Sequence, residues 1–248
     1  MTAVAEQVAL PPLFDEGSGV QVAALRFDER DVGAAQGIEV PAALAGAVPK
    51  RRAEFVAGRR AARLAMAALA PGLASARVDI GPRREPLWPD GVRGAITHAS
   101  GLAAAAVAWS DRVRGVGLDI EAPLAADAAA AVAEKVLTPA ERTRLFPDGW
   151  SAPDARRRLT LAFSAKESLF KSLYAEVGRY FDFLDAELAE LTDARWSLRL
   201  ATALGPGLPA GFAVDGRHAA IGALVVTAVV IPPTQSPPSP PRRPASGA

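Results

Sequence analysis

Seven consecutive residues near the middle of the chain, Gly115-Val116-Gly117-Leu118-Asp119-Ile120-Glu121, end in two carboxylates spaced two apart. On a strand, successive side chains alternate, so Val116, Leu118 and Ile120 take one face while Gly117, Asp119 and Glu121 share the other. Like charges held side by side repel unless a cation, often with a phosphate, lies between them. The chemistry is then that of a metal site. A strand that has reached the surface, its acids simply facing water, is an equal reading of this stretch alone.

A second constellation, Lys166-Glu167 with Lys171, lies some forty residues later. The periodicity predicts a long helix from Ala152 to Val177, closed by Gly178, with Leu159, Ala162, Phe163, Phe170 and Leu173 on its buried face. Lys166 falls by angle among those apolar residues, where a lysine must bend its stem outward or meet an anion. Glu167 four residues before Lys171 is also the favourable order for a helix-surface ion pair worth about 0.2–0.5 kcal/mol.

Basic groups precede both. A helix is predicted over Pro49 to Leu69, with proline at its start and Pro71-Gly72 beyond its end. Phe55, Ala62, Met66 and Leu69 share one face, and Arg52, Arg59 and Arg63 form a stripe along its border, either a solvated basic edge or a phosphate clamp. A Pro- and Gly-rich loop from Gly81 to Gly91 presents Arg83, Arg84 and Trp88. His98, beside Thr97 and Ser100, sits at a strand end, where an imidazole can bind phosphate or move a proton, or simply face solvent.

Around these residues a strand is expected at Val20 to Phe27, and a hairpin from Gly94 through the strand Leu102 to Trp109 into the acidic stretch. Helices follow over Ala122 to Val136 and Pro139 to Phe146, the latter capped by Thr138. The last strands are Trp196 to Ala201, Gly211 to Val214 and His218 to Ile231, with a turn at Asp215-Gly216. The expected organisation is α+β: an N-terminal half over 1–119, a C-terminal half over 120–231, and a disordered Pro- and Ser-rich tail over 232–248.

Composition narrows the function. The chain has 248 residues, half of them apolar, and a formal net charge of +1, so nothing draws it as a whole to nucleic acid or to an acidic membrane. It contains no cysteine, which excludes disulfides, thiolate zinc sites and cysteine nucleophiles, and points to a reducing cytoplasm. Met1 to Leu10 does not read as a secretory signal, and the apolar run Ala219 to Ile231 is short of the roughly 20 residues of a membrane helix.

Taken together the sequence resembles the 4′-phosphopantetheinyl transferases, in particular the siderophore-synthetase type. Four blocks carry the resemblance: Gly58-Arg59-Arg60-Ala61-Ala62-Arg63; Arg84-Glu85-Pro86-Leu87-Trp88-Pro89 with Ile96-Thr97-His98; the Gly115 to Glu121 strand; and Phe163-Ser164-Ala165-Lys166-Glu167-Ser168-Leu169-Phe170-Lys171. The resemblance implies two similar α+β halves related by a pseudo-twofold, and a monomer with coenzyme A bound between them. It implies transfer of the phosphopantetheine arm of coenzyme A to a serine of an acyl or peptidyl carrier protein, with release of adenosine 3′,5′-bisphosphate. Asp119, Glu121 and Glu167 match the family's Mg²⁺ ligands, and Glu167 also its general base. Arg59, Arg63, Arg84, His98, Lys166 and Lys171 match contacts to the phosphates of coenzyme A, Lys171 with a part in catalysis. Thr97 and Phe163 stand where the family motif has serine and tryptophan; both keep the hydroxyl or the aromatic anchor. Two rival readings are another coenzyme A-dependent acyltransferase, which has no need of three clustered carboxylates, and a silent carrier-protein-binding module, which has little reason to retain them.

Overall fold

A computed structural model describes residues 6–28, 38–149 and 154–233. The expected tail from residue 234 onward, and the first residues of the long helix expected from Ala152, lie outside the described residues. The chain opens with a strand, β1 (Gln21–Arg26), followed by helix α1 (Pro49–Leu69), which starts on its proline and stops before Pro71-Gly72 as expected. Strands β2 (Asp79–Ile80) and β3 (Pro86–Leu87) bracket the Arg-rich loop. The hairpin β4 (Val92–Ala99) and β5 (Leu102–Trp109) turns on Ser100 and Gly101, both at positive φ, the geometry that matches the twist of paired strands.

The acidic stretch forms β6 (Gly115–Glu121). Helices α2 (Ala129–Val136), α3 (Pro139–Leu145) and α4 (Ala155–Val177) follow, then strands β7 (Ala186–Leu191), β8 (Arg195–Leu200), β9 (Ala213–Ile221) and β10 (Leu224–Ile231). Besides the two-stranded β2-β3 sheet, two larger antiparallel sheets form among the described residues, β1-β5-β4 and β6-β10-β9-β8-β7. Helix α1 covers the outer face of the smaller sheet through Ala57, Ala61, Ala65 and Met66, against Ala103, Ala105 and Val107 of β5. The alternate β5 residues, Ala104, Ala106 and Ala108, meet Val116, Leu118 and Ile120 of β6, so the sheets pack face to face. A strand so rich in alanine lets both neighbours approach closely. Helix α4 closes the far side of the larger sheet.

All of β6 pairs with β10, while the Ile120 N–H also donates to the Thr97 hydroxyl of β4 (2.9 Å). The strand thus joins both sheets, and the expected division between residues 119 and 120 falls within it.

Three expectations are corrected. The helix expected from Ala122 begins at Ala129, and the Leu124 N–H before it donates to the Thr160 hydroxyl (3.1 Å). Asp215-Gly216 is no turn but lies within β9, where Gly216 leaves the space that the Trp196 ring fills. The run from His218 to Ile231 is two strands, reversed at Gly222, whose φ is 59°. Strand β7 was not anticipated.

Candidate active site

Helix α4 lies unusually close to β6. A Cβ on Gly115 would collide with the Ser172 carbonyl, and one on Gly117 with the Ser168 carbonyl. Glycine at both positions lets the helix backbone rest on the strand. The same contact brings Asp119 against α4. Its carboxylate is buried, Oδ2 accepting from the Ser164 hydroxyl (2.7 Å) and Oδ1 from Thr97 Oγ1 (3.2 Å) and Lys171 Nζ (2.6 Å). The Lys171 ammonium also reaches the Leu118 carbonyl (3.4 Å).

Lys171 is therefore an internal cation beside three acids. Burial alone lowers its pKa, but Asp119, then Glu167 and Glu121, outweigh that and hold it above the ordinary lysine value. Burial raises Glu167, and Asp119 adds to the rise while Lys171 opposes it. Glu121 is pushed up to about 7, first by burial and then by Asp119. Three carboxylates against one ammonium leave a local excess of negative charge, and hard carboxylate oxygens are the donor set that suits a divalent cation. No group of three His, Asp or Glu side chains among the described residues forms a ready-made metal cluster. Lys171 Nζ lies on Asp119 Oδ1 among these acids.

The opposite wall comes from the first half. Arg59 of α1 donates through Nε to the Val78 carbonyl (2.6 Å) and through Nη2 to that of Asp79 (3.2 Å), and its guanidinium lies 4.7 Å from the Phe55 ring centroid. Burial lowers its pKa to about 10, so it stays charged near neutrality. His98 of β4 is held at both ring nitrogens: Arg51 Nη1 lies 3.4 Å from Nε2, and Glu54 Oε1 lies 3.7 Å from Nδ1. Burial, partly offset by Glu54, lowers its pKa and favours the neutral ring.

The loop between β2 and β3 completes the enclosure. Glu85 folds back to accept the Arg83 N–H (2.8 Å), filling the space a side chain on Gly81 would need. Arg84 is held at a φ of 69°, a conformation rare for a residue with a Cβ. Arg83 reaches across to donate to the Gly178 carbonyl at the end of α4, tying the two halves together. Between these walls is a cavity of about 1010 Å³, lined by Arg51, Arg59, Arg84, His98, Glu167 and Lys171 among others.

Five of the expected site residues thus line one cavity: Arg59, Arg84, His98, Glu167 and Lys171. Asp119 stands behind Lys171, and Glu121 is near enough to feel the charges of Asp119 and Glu167. Two expected residues are not brought there. Arg63, half-buried on α1, is not part of the cavity wall. Lys166 points into the C-terminal half, where its ammonium sits between both Glu141 oxygens (2.9 and 3.0 Å) and donates to the carbonyls of Val136 (2.7 Å) and Phe183 (3.1 Å). The anion it meets is Glu141, and all three of its protons are committed there.

Sequence reasoning missed Arg51, Glu54 and the hydroxyls around Asp119. Arg51, Phe55 and Arg59 recur at i, i+4 and i+8, a line along one face that would have selected Arg51 in place of Arg52. Ser164, Ser168 and Ser172 repeat at the same interval, opposite Gly115 and Gly117.

Residues 39–108 match the family model described as the 4′-phosphopantetheinyl transferase N-terminal domain, and residues 115–219 match that of the 4′-phosphopantetheinyl transferase superfamily. The chain is 40% identical over 200 residues to the 4′-phosphopantetheinyl transferase Svp of Streptomyces mobaraensis, covering 78% of this chain and 77% of that protein. The chain belongs to the 4′-phosphopantetheinyl transferase superfamily. Similarity extends to the 4′-phosphopantetheinyl transferase PptT of Mycobacterium tuberculosis, 33% over 197 residues, covering 76% of this chain and 82% of that one. Enterobactin synthase component D of Escherichia coli is 37% identical over 139 residues, 56% of this chain and 62% of that one. As a phosphopantetheinyl transferase, the protein moves the phosphopantetheine group of coenzyme A to carrier proteins, and the cavity brings together Arg59, Arg84, His98, Glu167 and Lys171. No helix among the described residues is long and apolar enough to cross a membrane.

Proposed function

We propose that the cavity binds coenzyme A with its phosphates against Arg51, Arg59, Arg84 and His98, and that the acceptor is a serine hydroxyl of an acyl or peptidyl carrier protein. The observation that carries this reading is the pairing, across one cleft, of a guanidinium-rich wall with Glu167 and Lys171. The serine oxygen attacks the phosphorus of the phosphopantetheine phosphate as the bond to the bridging oxygen breaks, and adenosine 3′,5′-bisphosphate leaves. Glu167 takes the hydroxyl proton; its raised pKa makes it a better acceptor than an exposed carboxylate. Lys171, kept charged by its acidic neighbours, and the arginines neutralise the charge that builds on the departing phosphate.

Mg²⁺ would be held by Asp119, Glu121 and Glu167, where it would supply charge neutralisation at the pyrophosphate. The donor set supports this: three carboxylates, two of them raised in pKa by burial and mutual repulsion, gain from a divalent cation. We place the enzyme in the cytoplasm as a monomer, serving a siderophore-type or related assembly line. The test is the initial rate of transfer after removal of metal by chelator, on re-addition of Mg²⁺ or Mn²⁺, and with Glu167→Gln. Loss on chelation, recovery with either ion and a deep fall in kcat for Glu167→Gln are expected; full transfer in chelator would remove the metal, and undiminished Glu167→Gln the base.

A further inference from the structure

Beneath Asp119 lies a polar chain that the transfer chemistry leaves unused. The Ser164 hydroxyl on α4 is 2.7 Å from Asp119 Oδ2 and 2.9 Å from Thr227 Oγ1 on β10; Thr227 Oγ1 is in turn 2.7 Å from Ser168 Oγ. Ser164, Ser168 and Thr227 are fully buried, and Asp119 nearly so. An ionised carboxylate only accepts, so the single Ser164 hydroxyl proton goes to Asp119, while Thr227 Oγ1 and Ser168 Oγ also reach the carbonyls of Ser164 (2.8 Å) and Thr227 (3.0 Å). On the other oxygen, Thr97 Oγ1 approaches Oδ1 while its own oxygen is pinned by the Ile120 N–H.

We propose that Ser164 is a positioning residue that fixes the rotation of the Asp119 carboxylate, turning Oδ2 into the helix–sheet interface and Oδ1 toward Lys171. The close approach of α4 to Gly115 and Gly117 is what puts the serine within reach: with a Cβ on either glycine the helix would be displaced from the strand. The proposal rests on the reading that Asp119 is a metal ligand. Outer-shell donors of this kind change metal affinity by about 10–100-fold when removed.

The test is Mn²⁺ binding to the full chain in the presence of coenzyme A, measured by the loss of the free-ion paramagnetic resonance signal, for wild type, Asp119→Asn, Ser164→Ala and Thr160→Ala. Thr160 is a control: also a buried hydroxyl on α4, it bonds only backbone, accepting from Leu124 and donating to the Arg156 carbonyl (2.8 Å). Binding weakened at least tenfold in Ser164→Ala but unchanged in Thr160→Ala, at comparable losses of melting temperature, is the expected result. Ser164→Cys, which keeps the volume and weakens the donor, carries the same test if the alanine variant does not fold. Wild-type affinity in the Ser164 variants, with binding abolished by Asp119→Asn, overturns the positioning role and leaves the metal reading standing. No Mn²⁺ binding by wild type, or wild-type affinity in Asp119→Asn, overturns the metal reading and this inference with it.

Discussion

Replacing Lys166 by methionine separates two roles for a residue one position away from the proposed base. The side chain is 2% exposed and its ammonium bridges both oxygens of Glu141, which is itself fully buried. Removing one member of a buried ion pair costs about 3–5 kcal/mol, because the other charge is left uncompensated. Glu141 keeps two donors, the N–H groups of Leu188 (2.6 Å) and Thr138 (2.7 Å), which places Lys166→Met at the low end, about 3 kcal/mol. For a domain of this size that is a fall in melting temperature of roughly 6–12 °C. Adding Glu141→Gln removes the stranded charge while retaining an oxygen for the backbone donors, and should recover part of the loss. Thermal and urea unfolding of the single and double variants, with the KM for coenzyme A measured on the folded fraction, decide the matter. A contact to coenzyme A phosphate gives the opposite pattern: unchanged stability, a KM raised tenfold or more, and no recovery in the double variant. That outcome would refute the structural role assigned here.

Gly117→Ala should destabilise by more than the usual 1–3 kcal/mol of an overpacked core, since its Cβ would meet the rigid Ser168 carbonyl; urea unfolding with a near-wild-type midpoint would contradict the close α4–β6 contact. Glu121→Gln should raise the melting temperature at pH 8 more than at pH 5. A carboxyl whose pKa rises from its ordinary value to about 7 on folding binds more protons folded than unfolded between those values, so its contribution falls as pH rises through that window. An equal shift at both pH values would dismiss the rise that burial and then the neighbouring acids impose on Glu121. Lys171→Ala should lower kcat for transfer and steepen the loss of stability as pH rises through the acid-to-neutral range, because Glu121 and Glu167, already raised, lose the cation that opposes the rise; a variant with full activity would exclude it from the chemistry.

Much of this arrangement is legible in the residues, and the exceptions have physical causes. The limits of α1 follow from Pro49 and Pro71, and the alternation along Gly115 to Glu121 sorts its apolar and acidic faces as the structure has them. What local pattern cannot supply is the partner. Lys166 looks out of place on an apolar face because Glu141, twenty-five residues earlier, is invisible to periodicity. Asp215-Gly216 carries a turn signal, yet the glycine serves a tryptophan from the neighbouring strand. The Leu124 N–H is bonded to Thr160, thirty-six residues away, a partner the local pattern does not show. Arg51 shares the i, i+4, i+8 line of Phe55 and Arg59 along the edge of α1 that borders the cavity, and Arg52 does not. The four blocks together carry the family resemblance, while the structure has Arg51 in the cavity wall, Lys166 on Glu141 and Arg63 outside that wall.

The central claim is that this cavity performs phosphopantetheinyl transfer to a carrier serine. The most direct measurement is intact-mass analysis of a panel of apo acyl and peptidyl carrier proteins incubated with coenzyme A, Mg²⁺ and either wild-type protein or Glu167→Ala. The account predicts a phosphopantetheine adduct on the serine of at least one carrier with wild type and little or none with the variant. No adduct on any carrier, while another phosphopantetheinyl transferase modifies the same panel, would contradict it.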